Sequence, residues 1–355
     1  GEGNIMRDGA GNIIYDHGTT NQAGSNAGLA RPFLTGSNAV AAHYLDVNKY
    51  AGNTFTTFGY LDITFLKDFK FTFNGSVYTD NTDSTNMTNS FYGQYASANG
   101  QLSRGQSQSF TYNLQQLLNY NKSFEKGLNI GAVLGHSLQI YESSSSSQTG
   151  LGFPSASFDV NSVAASVEDV TSGKSAYALQ SFFARANLNY KNRYVGTFTV
   201  RTDGSSKFAP EHRWGWFPSA SLGWNVNEEQ WWKADDISLK VRASVGATGN
   251  QGGIGNYAYQ ALASGGINYG GQNGLGLSAA GNRDLKWETA VQENFGIDLS
   301  LWKGALSVTV DLFNKDTQNL LYNKPTMIST GYTTQLCNIG AMNNKGLEIA
   351  LAANA

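Results

Sequence analysis

Apolar side chains return at every second position along most of this chain, which is the period of a pleated strand and not of a helix. In 306–312 the even positions hold Leu306, Val308, Val310 and Leu312, and the odd ones Ser307, Thr309 and Asp311. Phe295, Ile297, Leu299 and Leu301 alternate with Asn294, Gly296, Asp298 and Ser300. Leu239, Val241, Ala243 and Val245 alternate with Ser238, Lys240, Arg242 and Ser244. Tyr194, Gly196, Phe198 and Val200 alternate with Val195, Thr197, Thr199 and Arg201. The pattern predicts about eleven strands, over 55–66, 69–78, 107–124, 128–141, 181–190, 194–202, 215–226, 237–249, 285–301, 305–322 and 345–352. Most reach the roughly 9–11 residues that a tilted strand needs to cross a bilayer.

The connections separate a membrane barrel from a soluble sandwich. Lys67-Asp68, Glu125–Gly127, Lys191–Arg193 and Trp302–Gly304 read as tight turns, and 227–236 as a somewhat longer one. Between them stand long polar stretches, about 1–54, 79–106, 142–180, 203–214, 250–284 and 323–344. Short and long connections alternate, as in bacterial outer-membrane barrels with short periplasmic turns and long extracellular loops. Phe65, Phe69, Tyr120, Phe124, Tyr190, Tyr194, Trp224, Trp231 and Trp302 flank the short turns, which is where an interfacial aromatic girdle belongs. Ordinary strand-end aromatics are the bland alternative. An odd strand count with two open edges cannot close in lipid, so further strands are expected beyond 1–355, together with any N-terminal plug.

Composition sharpens this without changing it. Only 14% of residues are charged and 12% are aromatic, with 41 Gly against 5 Pro. Disorder would need the opposite balance. A net charge of −2 argues against nucleic-acid binding, which calls for a basic patch. Cys337 stands alone, and His17, His43, His136 and His212 are widely spaced, so no metal-ligand or disulfide framework is read and no cofactor is expected. No apolar run approaches the roughly 18 residues of a membrane helix. The absence of an initial Met and of a signal peptide, with an opening in Gly/Asn-rich sequence, suggests a fragment.

Several segments resemble the SusC-type (RagA-like) branch of the TonB-dependent transporters of Bacteroidetes. They are Arg201-Thr202-Asp203-Gly204-Ser205-Ser206-Lys207-Phe208, Arg213-Trp214-Gly215-Trp216-Phe217-Pro218-Ser219, Ser221-Leu222-Gly223-Trp224 and Leu239-Lys240-Val241-Arg242-Ala243-Ser244-Val245-Gly246. Thr248-Gly249-Asn250, Leu285-Lys286-Trp287-Glu288, Asn294–Asp298, Asn338-Ile339-Gly340 and Asn344–Glu348 continue the match in order, and Tyr15-Asp16 with Arg31-Pro32-Phe33 resembles an extracellular loop of the family. The resemblance implies a 22-stranded barrel of which this chain is the middle and later part. It also implies import of glycans or oligopeptides beneath a SusD-like surface lipoprotein, with energy from TonB. A dimer of transporter–lipoprotein pairs stays open. The alternatives are a passive porin-like channel, a glycan-binding surface β protein and an esterase barrel.

Arg201 and Asp203 sit where a strand runs into a loop. They read first as part of a capped bend, with lumen lining as the functional alternative. Lys240, Arg242 and Glu288 have the parity of the water-facing side, since a charge toward lipid costs about 2–4 kcal/mol at the midplane. Tyr257, Tyr259, Tyr269 and Phe153 are loop aromatics that could stack on sugars, though packing within their own loops is the plainer reading. The Gly-rich 252–255 and 265–276 and the run Ser143–Ser147 read as mobile loop. Gly135-His136-Ser137-Leu138-Gln139 lacks the last Gly of a nucleophile elbow, and Gly173-Lys174-Ser175 lacks the first Gly of a P-loop. Asp80-Asn81-Thr82-Asp83 lacks the Gly and terminal Glu of a calcium loop. No catalytic site is expected.

Overall fold

The computed structural model describes residues 7–15, 38–91, 93, 95–155 and 157–354. The expected loop segment Arg31-Pro32-Phe33, together with Asp16 and His17, lies outside the described residues. A short helix, α1 (Ala39–Leu45), comes first. Asn38 caps it, its Oδ1 accepting from the N–H of Val40 at 2.9 Å and of Ala41 at 3.0 Å. The strands follow as β1 (Val47–Phe65), β2 (Phe69–Thr88), β3 (Gln101–Phe124), β4 (Leu128–Leu151), β5 (Ser166–Tyr190), β6 (Tyr194–Ser205), β7 (Trp214–Asn225) and β8 (Ser238–Asn250). The remainder are β9 (Leu262–Tyr269), β10 (Gln272–Ala279), β11 (Glu288–Leu301), β12 (Leu306–Gln318), β13 (Leu321–Pro325), β14 (Thr334–Asn338) and β15 (Ala341–Ala353).

Eleven strands form one sheet in the order β1-β2-β3-β4-β5-β6-β7-β8-β11-β12-β15, and β9–β10 and β13–β14 are separate hairpins. Each of the eleven predicted segments coincides for most of its length with one strand of this sheet. The ends differ. Residues 79–88, 101–106, 142–151 and 166–180 are strand where polar loop is expected, and Ser143–Ser147 lies inside β4. Likewise 47–54 belong to β1, 265–276 form most of the β9–β10 hairpin, and the segment 305–322 breaks between Gln318 and Leu321. The physical reason is that a hairpin wet on both faces needs no apolar alternation, so its strands carry no period-2 signal.

The short turns use paired left-handed residues: Leu66 and Lys67, Lys191 and Asn192, and Trp302 and Lys303 all have φ between 49° and 59°. Two successive positive φ values match the twist of tightly joined strands.

The chain is organised in two compact units. One comprises 1–57, 77–111 and 142–175, and its buried cluster is Met87, Leu102 and Phe153, with Val163 and Ala164 against it. The other comprises 58–76, 112–141 and 176–355, and its buried cluster is Phe208, Phe217, Ile254, Leu285 and Trp287.

Candidate functional site

Register gives the sheet two chemically distinct faces. Across β8, β11, β12 and β15, Val241 stands opposite Ile297, Ile297 opposite Val310, and Val310 opposite Ile349. Phe295, Leu312 and Leu347 form a parallel row, and Phe198, Leu222 and Val245 continue the apolar face on β6–β8. Most of these side chains are exposed, Ile349 to 61%, and Val241, Ile297 and Val310 are half-buried. A continuous exposed apolar face of this kind is what lipid requires.

The opposite face is polar. Lys240, Arg242 and Glu288 lie on it, sharing the even parity of Asp298 and Gly296. Arg242 Nε reaches Asp298 at 3.1 Å and its Nη2 reaches Asp311 at 2.7 Å, two strands away. Gly296 lies between them in register. A Cβ there would stand 2.5 Å from Arg242 Cζ and 2.7 Å from an Asp311 oxygen, so the missing side chain is what lets the guanidinium cross. Glu288 is a tie rather than a free carboxylate: it accepts from Asn250 Nδ2 at 3.0 Å and from the Leu321 N–H at 3.2 Å.

On the same face Arg201 Nε donates to both Asp203 oxygens, at 2.8 and 2.9 Å, and its Nη2 to Ser181 Oγ at 3.0 Å. The guanidinium lies 5.6 Å from the centre of the Phe183 ring. Ser181 and Asp203 are buried. Beside Arg201 opens a depression of about 380 Å³, lined by Asn74, Asn113, Gln115, Gln139 and Ser181. Asn74 donates to Gln115 at 3.1 Å and Asn113 to Ser76 at 3.2 Å. With Arg201 offset by Asp203, its wall is close to neutral: amides, hydroxyls and one paired cation, interspersed with Phe58, Leu114, Leu138 and Leu179. Sequence reasoning named Arg201 but missed these amides, which carry no motif and share a site only through register.

The family-like motifs converge on the buried cluster of the second unit. Phe208, from the segment 201–208, and Leu285 are fully buried, and Trp287 packs on Phe208 and Phe217 at centroid distances of 5.1 and 5.5 Å. Trp287 Nε1 donates to the Arg213 carbonyl at 2.9 Å. Lys207 Nζ donates to the Ile254 carbonyl at 3.1 Å, and Ser206 Oγ accepts from the Ala178 N–H at 2.8 Å. Asn338 ties in the last loop, donating to the carbonyls of Lys286 and Asn319, both at 2.8 Å. These residues join the loop ends after β6, β8, β10 and β12 into one knot.

Of the loop aromatics, Phe153 follows the plainer reading: it is buried against Met87 and Leu102, packing within its own unit. Tyr257 accepts the Ala176 N–H at 3.0 Å, and Tyr259 accepts from Gln260 at 2.7 Å. Tyr269 is 91% exposed. The calcium-like cluster lies within β2, where Asp80 accepts from Thr54 at 2.7 Å and from Thr82 at 3.3 Å.

Near the short turns, Phe65 stacks on Phe69 (5.7 Å), Phe69 meets Tyr120 (4.9 Å), and Tyr194 stacks on Trp224 (6.5 Å). Tyr190, Tyr194 and Trp224 share the apolar face by register. Phe124, Trp231 and Trp302 are exposed. Glu229, in the turn after β7, collects the Tyr194 hydroxyl (2.6 Å), the Trp224 N–H (3.0 Å) and Arg193 (3.2 Å). The Tyr194 hydroxyl above all, then Trp224 and Arg193, holds the Glu229 carboxyl below its ordinary range against some desolvation.

The family described as "TonB dependent receptor-like, beta-barrel" matches residues 6–354. The TonB-dependent receptor P39 of Formosa agariphila is 36% identical over 248 residues, covering 69% of this chain and 24% of that protein. The TonB-dependent receptor SusC of Bacteroides thetaiotaomicron is 35% identical over 193 residues, covering 51% of this chain and 19% of that protein. The chain thus spans about a quarter or less of the length of these curated relatives. Among solved structures, the RagAB peptide transporter matches with a TM-score of 0.83 and 25% identity, over 93% of this chain and 36% of that one. This chain belongs to the TonB-dependent receptor-like β-barrels, which are proteins of the bacterial outer membrane.

Proposed function

We propose that this chain forms part of the barrel wall of a TonB-dependent importer of large nutrients, glycans or oligopeptides. In this reading it works with a SusD-like surface lipoprotein and is energised by TonB. The observation that carries the proposal is the two-faced sheet: an exposed apolar face for lipid and, behind it, a polar face of amides, hydroxyls and paired charges that suits an aqueous passage. The relatives support it, since one is named SusC and another is titled a peptide transporter. Arg201, Asp203, Lys240 and Arg242 are the wall residues placed to meet cargo, and Tyr257 and Tyr259 are the loop residues placed to do so.

The complete gene provides the test. A deletion strain grown on a panel of glycans and oligopeptides should fail on one class, and a strain lacking TonB should fail on that same class. The complete protein should also co-purify with a surface lipoprotein. Growth that persists without TonB would overturn active import and favour passive diffusion.

A further inference from the structure

The apolar face carries one feature that transport does not account for. A groove of about 510 Å³ opens on it, within the range of small-molecule sites. Ala184 and Thr202 are its small members, while Phe71, Leu134, Phe182 and Trp216 are its large ones. Register places Ala184 opposite Val200 and Thr202 between Phe182 and Trp216, so short side chains form the floor between bulky walls. One end is polar. His136 Nδ1 stands 2.5 Å from Gln116 Oε1, and its Nε2 3.0 Å from Gln180 Nε2. The His136 ring stacks on Phe182 at 4.7 Å.

Three polar side chains on a lipid-facing surface need a reason, because polar groups in hydrocarbon are costly. Their height supplies it. A strand rise of about 3.4 Å at a tilt of about 40° climbs about 2.6 Å per residue along the membrane normal. His136 is about nine residues beyond the turn at Glu125–Gly127, which puts it about 23 Å up, at the far edge of an apolar band about 25 Å tall. Gln116 is at a similar height, and Gln180 is slightly higher on β5. The polar end therefore meets the headgroup region of the outer leaflet, while the apolar floor runs down into hydrocarbon.

We propose that this groove is a specific lipid site: it seats one acyl chain of an outer-leaflet lipid, and the Gln116–His136–Gln180 cluster faces that lipid's ester and headgroup region. The groove is continuous with the lipid-facing band, and its polarity changes where that of a lipid does. Nothing in the proposal depends on the cargo or on TonB.

Native mass spectrometry of the full-length protein, extracted in detergent and supplied with lipid A, the acylated anchor of the outer leaflet, tests it. The parent should hold one lipid A molecule through washing. Ala184→Trp, which fills the floor, should lower that occupancy about tenfold or more. Ala186→Trp, on the same face opposite Phe198, should leave it unchanged and controls for folding. His136→Leu should weaken retention without abolishing it. Equal occupancy in the parent and Ala184→Trp, or none in the parent, would overturn the proposal. So would a dimer that Ala184→Trp converts to monomer with lipid content unchanged, since the groove would then be a contact between copies.

Discussion

Successive residues of β12 belong to opposite environments, so moving one charge by a single position tests the two-faced sheet directly. Val310 stands between Ile297 and Ile349 on the apolar face, and Thr309 between Asp298 and Ala350 on the polar face. At about 2.6 Å of climb per residue, the midplane of a band about 25 Å tall lies about five residues from the periplasmic turn. Val310 is about that far past Trp302–Gly304. An arginine facing lipid at the midplane costs about 2–4 kcal/mol. Val310→Arg should therefore destabilise the barrel by that amount. Thr309→Arg sets the guanidinium beside Asp298 in water, where such a pair is worth at most about 1 kcal/mol, and should stay within about 1 kcal/mol of the parent. Urea unfolding of the full-length protein in phospholipid vesicles, read by the heat-modified gel shift of folded barrels, measures both. Equal costs, or a larger cost for Thr309→Arg, would refute the assignment of faces.

The remaining predictions concern the knot, the crossing arginine and the turn. Leu285→Ala, at a fully buried position, should cost about 2–5 kcal/mol and open 251–261 to limited proteolysis; protease resistance equal to the parent would mean the cluster does not hold the loops. Gly249→Ala should be worse than its size suggests, because the new Cβ would meet Phe217 Cζ at 2.1 Å; about 1–3 kcal/mol is expected in the same unfolding assay. Gly296→Ala should separate Arg242 from Asp311, and Asp311→Asn made on top of it should then change little, which a double-mutant cycle reads. For Glu229 the folded carboxyl titrates below its ordinary value near 4.5. Its contribution is thus complete above that pH and is lost as pH falls through the lower folded value. Thermal melts of Glu229→Gln and parent should differ at neutral pH and converge as pH falls through the lower folded value.

What the sequence revealed, and what it hid, divides along the membrane boundary. Inside the apolar band one face must be greasy and the other wet, so Leu306–Leu312 and Phe295–Leu301 announce their strands and their orientation. Above the band both faces are wet. There β2, β4 and β5 run on through Thr88, Leu151 and Ser166 in sequence such as Ser143–Ser147 that gives no sign of strand. The helix Ala39–Leu45 was missed because it is short, although Asn38 before Ala39-Val40-Ala41-Ala42 is a capping signal that could have found it. The amides beside Arg201 were illegible for another reason. Asn74, Gln115 and Gln139 come from three strands, and each is an ordinary polar residue until register sets them side by side.

The motifs that made the family recognisable do a different job from the one a transporter's motifs invite. Phe208, Trp287, Lys207, Glu288 and Asn338 spend their side chains on the backbones of Ile254, Arg213, Leu321 and Lys286 and on a buried cluster at the loop ends. A loop that leaves a strand must satisfy its backbone groups or be disordered, and four such loop ends can share one apolar core more economically than each can build its own. Recognition of the family therefore rests largely on architecture, whereas selectivity should draw on residues without motif, such as the amides of the polar wall and the exposed Tyr269, alongside the motif residues Arg201, Lys240 and Arg242. This predicts a separation in mutants. Changes in the knot should lower the amount of folded protein for every cargo alike, and changes at Asn113, Gln115 or Gln139 should leave folding intact while altering which cargo is taken up. Uptake per folded barrel, measured across several cargoes, distinguishes the two classes. A knot mutant that folds fully yet loses only one cargo would show that the motifs are part of the binding site after all.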